Sequence, residues 1–145
     1  WTNLCTALAP LAEKGVLDGV ALGLPALTRA LKLQNRAARV GFDWPGPADV
    51  LKKIAEESHE LVEARDSGDH AHLTEEFGDL LFVMANLARH LDIDPEEALR
   101  MANAKFTRRF RAIEAALAAT GRRPEDSNLA EMDTLWNDAK AAERA

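Results

Sequence analysis

The sequence predicts an all-α fold built of antiparallel helices, and three observations predict it. Apolar residues recur at helical spacing almost throughout the chain, and no stretch alternates cleanly at period two. Tyr is absent and β-branched residues are sparse. Ala and Leu, which favour helix, are plentiful.

The elements follow in order. Over residues 1–23, Leu4, Leu8 and Leu11 share one side of a short helix, but Gly15, Gly19 and Gly23 interrupt it. Each Gly costs about 1 kcal/mol against Ala in a helix. This segment reads as an arm or linker, and residues 24–145 as one domain. The first strong helix is expected over about 24–40, on Leu24, Leu27, Leu31 and Ala38. Gly41-Phe42-Asp43-Trp44-Pro45-Gly46-Pro47 is a loop, having two prolines and two glycines. A second helix runs over about 48–67 to the turn Ser67-Gly68-Asp69. A third covers about 69–91, on Leu73, Leu80, Leu87 and Leu91. The fourth has a clear start, with Asp94 as N-cap, Pro95 at the first helical position and Glu97 where a capping box wants an acid. It runs to about Thr120 and stops at Gly121. A polar loop leads to a last helix over about 130–142, carrying Met132, Leu135 and Trp136.

Composition narrows the function. The 145 residues suit one domain, and 47% hydrophobic with 29% charged residues excludes a disordered tail. The longest apolar run, Leu80 to Ala85, cannot span a bilayer, so no membrane partner is expected. The single Cys5 excludes a disulfide framework and a Cys-based zinc site. A net charge of −6 lacks the basic surface of a polymeric nucleic-acid binder, yet allows a small phosphorylated ligand. The chain opens on Trp1 with no basic-then-apolar leader, which reads as a piece of a longer cytoplasmic protein.

Two segments echo each other. Glu56-Glu57-Ser58-His59-Glu60-Leu61 and Glu75-Glu76-Phe77-Gly78-Asp79-Leu80 share one pattern around Gly68. Glu60 and Glu76 each lie eight residues from Gly68, and Glu57 and Asp79 each lie eleven. In an antiparallel hairpin these pairs sit level, and the spacing of three stacks Glu57 with Glu60 and Glu76 with Asp79. Glu57 shares a stripe with Ile54, Leu61 and Ala64, and Glu76 with Leu73, Leu80, Val83 and Leu87. Both acids therefore fall in the apolar seam. Two carboxylates about 5 Å apart repel by roughly 3 kcal/mol at an effective dielectric near 20. Protons or a divalent cation must neutralise them, and all-oxygen ligation suits Mg²⁺ or Mn²⁺ rather than zinc.

Acids on helices usually form a solvated face, as expected of Glu13, Glu63, Glu96, Glu125 and Glu143. A doubled motif across a turn departs from that. A di-iron bundle would need Glu-x-x-His twice, and only Glu56 with His59 has that spacing, since His70, His72 and His90 lack it. The fourth helix adds Lys105 and Arg109 on one face beside Ala102, Phe106, Phe110 and Ile113. The last helix repeats the spacing with Trp136 and Lys140. Cations near a carboxylate-bound metal suit a polyphosphate, and an aromatic beside a cation suits a stacked base. A solvated face for Lys105 and Arg109, and a core anchor for Trp136, are equally open readings.

Glu56-Glu57-x-x-Glu60 followed by Glu76-x-x-Asp79 resembles the signature of the MazG-type nucleoside triphosphate pyrophosphohydrolases. So do Leu24-Pro25-Ala26-Leu27, Arg36 through Trp44, Gly78 through Phe82, Asn86 through Leu91, Ala104-Lys105-Phe106-x-Arg108-Arg109-Phe110 and Glu131-Met132-x-x-Leu135-Trp136. The resemblance covers residue 16 to the end. It implies Mg²⁺-dependent hydrolysis of nucleoside triphosphates to monophosphate and pyrophosphate, by a helical bundle assembled across a homodimer. It implies Glu57, Glu60, Glu76 and Asp79 as metal ligands, and Glu56 as the group that orients or deprotonates the attacking water. It further implies phosphate contacts from Lys105, Arg109 and Lys140, base stacking on Trp136, and substrate contacts at Glu75 and His72. The family often carries a lysine near His72, which would make a contact there weaker or pH-dependent. Two alternatives stand beside this reading: a non-catalytic dimeric helical module that binds nucleotide or protein, and a narrower dUTP or dCTP pyrophosphatase.

Overall fold

The computed structural model describes residues 15–145. The expected Leu4–Leu8–Leu11 helix and Cys5 lie outside the described residues. Those described form five α-helices and one 3₁₀ turn, with no strand among them. None of these helices is long and apolar enough to cross a membrane.

Helix α1 is Ala26–Arg39. It starts two residues later than the leucine pattern predicts because Pro25 holds an extended backbone at the N-cap, and a residue before proline, here Leu24, is disfavoured in helix. It stops at Gly41, whose φ of 88° lets the Phe42 N–H turn back to the Ala37 carbonyl at 3.1 Å. Helix α2, Pro47–Ser67, opens on a proline at its first position. Gly68 ends it at φ 75° in the left-handed region. Asp69 then caps α3, His70–His90, accepting from the backbone N–H groups of Ala71 and His72 at 3.0 and 3.3 Å. Three consecutive residues thus close α2 and open α3, fixing the register of the hairpin.

The chain divides into two compact units, one up to Glu96 and one from Glu97. In the first, α2 packs on α3 and α1 packs on α3. Its buried residues are small: Ala30, Val50, Ala64, Val83, Ala85 and Ala88. Gln34, Glu57 and Asn86 are buried with them. Small side chains bring the helix axes close, so acids on facing stripes are forced near one another. The other side of α3 exposes Phe77, Leu81 and Met84, about half of each side chain meeting solvent.

Helix α4 is Pro95–Ala118, capped by Asp94, which accepts from the Glu96 N–H at 3.0 Å. It ends at Ala118, two residues before the expected Thr120, and Gly121 follows at φ 72°, its N–H donating to the Ala118 carbonyl. In the second unit, Pro124–Asp126 is the 3₁₀ turn and Leu129–Arg144 is α5, capped by Asn128. Ile113 and Leu117 are its buried apolar residues.

Candidate active site

The hairpin brings carboxylates together as the register predicts. Oxygens of Glu57, Glu76 and Asp79 all lie within 4.8 Å of one another. Glu57 is 5% exposed, the Glu76 side chain is largely covered, and Asp79 opens to solvent. Glu57 Oε2 and Glu76 Oε2 are buried with no hydrogen-bond partner. A buried carboxylate oxygen without a partner is costly, so these two atoms fit a site meant for a ligand. Burial, and then the charges of Glu60 and Glu57, push the Glu76 carboxyl above the usual carboxylate range. Glu60, the fourth expected ligand, is exposed and stands outside the three-carboxylate set. It is still close enough to act on Glu76 by its charge.

The donor set fits a hard divalent cation: carboxylates only, two with an unpaired oxygen, one reached by solvent. The structure also supplies a neutraliser that the helical stripe did not suggest. Lys53, one turn before Glu57, places Nζ 3.1 Å from Glu57 Oε1 and 3.6 Å from Glu56 Oε2. Its hydrogen bond to Glu57 raises the Lys53 pKa. The signal for it was the plain i, i+4 spacing of Lys53 and Glu57. His72 also flanks the cluster, with Nδ1 4.0 Å from Glu76 Oε1. Glu75 is exposed beside it. Glu56 and His59 face solvent, His59 pairing with Glu63 at 3.6 Å, which removes the geometry a di-iron pair requires.

Within the second unit, Arg109 and Trp136 come together. The Arg109 guanidinium lies 5.3 Å from the Trp136 ring centroid, and Phe106 packs 5.6 Å from the same ring. Arg109 is also held by Glu143, at 3.1 Å from Nε and 3.0 Å from Nη2. Sequence spacing did not reveal Glu143 as this partner, because it was read as a solvated acid. Lys105 is exposed and Lys140 half-buried.

The first unit carries a second charged cluster. Asp43, in the loop after α1, pairs with Arg89 and with His90, the latter at 3.1 Å. Burial pushes the Asp43 carboxyl up, but hydrogen bonds from Arg89 and His90 outweigh it and hold it below its ordinary value. This cluster pins the Gly41–Gly46 loop to the end of α3.

A helical hairpin that aims carboxylates from both arms at one point defines a class of all-α domains with a candidate divalent-cation centre. Residues 46–113, which contain that hairpin, match the MazG nucleotide pyrophosphohydrolase domain. It is 46% identical over 137 residues to a nucleoside triphosphate pyrophosphohydrolase of Escherichia coli strain K12, a match that takes in 93% of this chain and 52% of that protein. It is 44% identical over 136 residues to a nucleoside triphosphate pyrophosphohydrolase/pyrophosphatase MazG of Thermotoga maritima, 90% of this chain and 52% of that one. It is 45% identical over 145 residues to the uncharacterized protein YabN of Bacillus subtilis, covering 30% of it. The chain thus spans about half the length of the first two relatives.

Proposed function

We propose that this domain hydrolyses nucleoside triphosphates to nucleoside monophosphate and pyrophosphate, with Mg²⁺ as its cofactor and Mn²⁺ as the nearest substitute. The observation that carries the reading is the convergence of Glu57, Glu76 and Asp79, with two buried carboxylate oxygens left unpaired. Glu57, Glu60, Glu76 and Asp79 hold the cation. When bound, it supplies positive charge against the phosphates and makes water a better nucleophile at neutral pH. Lys53 pairs with Glu57 Oε1 at 3.1 Å and competes with the cation for it. Glu56, exposed on the same helix, accepts the proton of the attacking water. His72 and Glu75 border the site on α3, and His72 carries positive charge toward the substrate only when protonated.

Lys105, Arg109 and Lys140 are the cations assigned to the phosphates. Glu143 and Trp136 hold the Arg109 guanidinium in one orientation. Trp136 is also the aromatic available for a stacked base. Homodimer formation is supported by the exposed stripe Phe77, Leu81 and Met84 on α3. A patch of that kind on one helix face is the usual mark of a subunit contact.

The test is product analysis. Nucleoside triphosphate incubated with Mg²⁺ should yield pyrophosphate and monophosphate in equal amounts. Orthophosphate and nucleoside diphosphate as first products would overturn the assignment of the cleaved bond.

A further inference from the structure

Within the second unit, one acid holds two arginines. Glu143 stands in the last turn of α5, and both of its carboxylate oxygens are bonded to α4. Arg108 Nε donates to Oε1 at 2.8 Å. Arg109 Nε and Nη2 donate to Oε2 at 3.1 and 3.0 Å. The Nε and Nη2 groups of a guanidinium form a donor fork that suits carboxylate and phosphate oxygens alike. On Arg109 that fork is filled by the chain's own carboxylate, and the Trp136 ring lies 5.3 Å from the same guanidinium.

The contact also cancels charge. Hydrogen bonds from Arg108 and Arg109 hold the Glu143 carboxyl at about 2, so it is ionised at neutral pH and cancels one of the two positive charges. Protonation therefore does not free the arginines under working conditions, and another anion must. A phosphoryl group carries more charge and more acceptor oxygens than a carboxylate, so it is the stronger partner for paired guanidiniums. The Glu143 side chain is 28% exposed, against 12% for Arg109. Solvent thus lies beside the acid, and a rotamer change releases both arginines while Arg109 stays largely covered.

We propose that Glu143 is an autoinhibitory carboxylate: it occupies Arg108 and Arg109 in place of a substrate phosphate, and a bound polyphosphate displaces it. The inference rests on the phosphate role given to Arg109 in the pyrophosphohydrolase reading and adds a regulatory contact to it. Exchange favours ligands with clustered phosphate charge, because any anion must first displace a carboxylate that two guanidiniums already hold.

Tripolyphosphate, which has no base, tests this in metal-free buffer by calorimetry. Glu143→Gln should bind it about five-fold more tightly than the parent protein, the size of two partly exposed ion pairs. Glu131→Gln removes the same charge from the same helix, but its carboxylate is held by Arg122 at 2.7 Å rather than by Arg109. It should change the affinity by less than about two-fold, as a screened and distant charge. In the ¹⁵N-labelled parent protein, the Nε–H signals of Arg108 and Arg109 should shift as tripolyphosphate is added, with that of Arg122 unmoved. Weaker binding by Glu143→Gln would make the acid a support for Arg109 and overturn the proposal. Equal gains in both variants would reduce the effect to net charge and overturn it as well. Unmoved Arg108 and Arg109 signals would do so without reference to any variant. Displacement of Glu143 in a protein that releases no pyrophosphate from nucleoside triphosphates would support this contact and strike the hydrolase reading instead.

Discussion

Gly68 and Gly78 invite the same chemical change with opposite expected signs. Gly68 closes α2 at φ 75°, and an added Cβ there meets no heavy atom within 4 Å. The whole cost of Gly68→Ala is therefore backbone strain in the left-handed region, about 1 kcal/mol. Gly78 sits inside α3 with equally open space around an added Cβ and no positive φ. Gly78→Ala should stabilise by about 0.5–1 kcal/mol, because glycine loses more backbone freedom than alanine on entering a helix. The two variants should then differ by nearly 2 kcal/mol. Urea unfolding followed by circular dichroism would read this as midpoints moving in opposite directions with unchanged slopes. Thermal melts should separate by several degrees. Equal midpoints, or a stabilised Gly68→Ala, would refute the assignment of the hairpin turn that sets the carboxylate register.

Three further outcomes are expected. Arg122 with Ser127 holds the Glu131 carboxyl at about 2, and Arg108 with Arg109 holds that of Glu143 at about 2. Both pKa values are depressed on folding, so their stabilisation is present above the ordinary carboxylate pKa near 4.5 and is lost as pH falls from there toward 2. Glu131→Gln and Glu143→Gln should each flatten the acid limb of a stability-versus-pH profile, and an unchanged limb in both would reject these pairings. Lys53→Met should tighten Mg²⁺ binding, measured calorimetrically, because Lys53 competes with a cation for Glu57; weaker binding would assign Lys53 to the site's assembly instead. Asp43→Asn should lower stability by about 1–2 kcal/mol in urea, since two charge-assisted hydrogen bonds weaken, and a neutral result would mean the loop is held by packing alone.

Much of this was legible in the sequence because it rests on local rules. Helix limits fell within two residues of expectation where Pro95, Gly68, Asp94 and Gly121 act as start and stop signals. Symmetry about Gly68, the spacing of three and the apolar stripes predicted four convergent acids, of which Glu57, Glu76 and Asp79 come together and Glu60 stands outside the set. What escaped notice depends on long-range contacts. Gln34 reads as an ordinary polar position on α1, and only packing against α3 buries it beside the Phe82 carbonyl. Asp43 reads as a loop acid until α3 brings Arg89 and His90 to it. Glu143 matched a solvated acid by composition, and its bond to Arg109 spans α4 and α5. Charge alone assigned the neutralisation of these acids to protons or a divalent cation. Part of it is met by Lys53, whose pairing with Glu57 is short-range but does not show in an apolar stripe.

Calorimetric titration of Mg²⁺ into the protein and into Glu76→Gln and Asp79→Asn bears most directly on the carboxylate centre. Saturable binding in the parent protein, lost in both variants while their circular dichroism spectra match the parent, is the expected result. Equal uptake by all three proteins, or none by the parent at millimolar Mg²⁺, would contradict it.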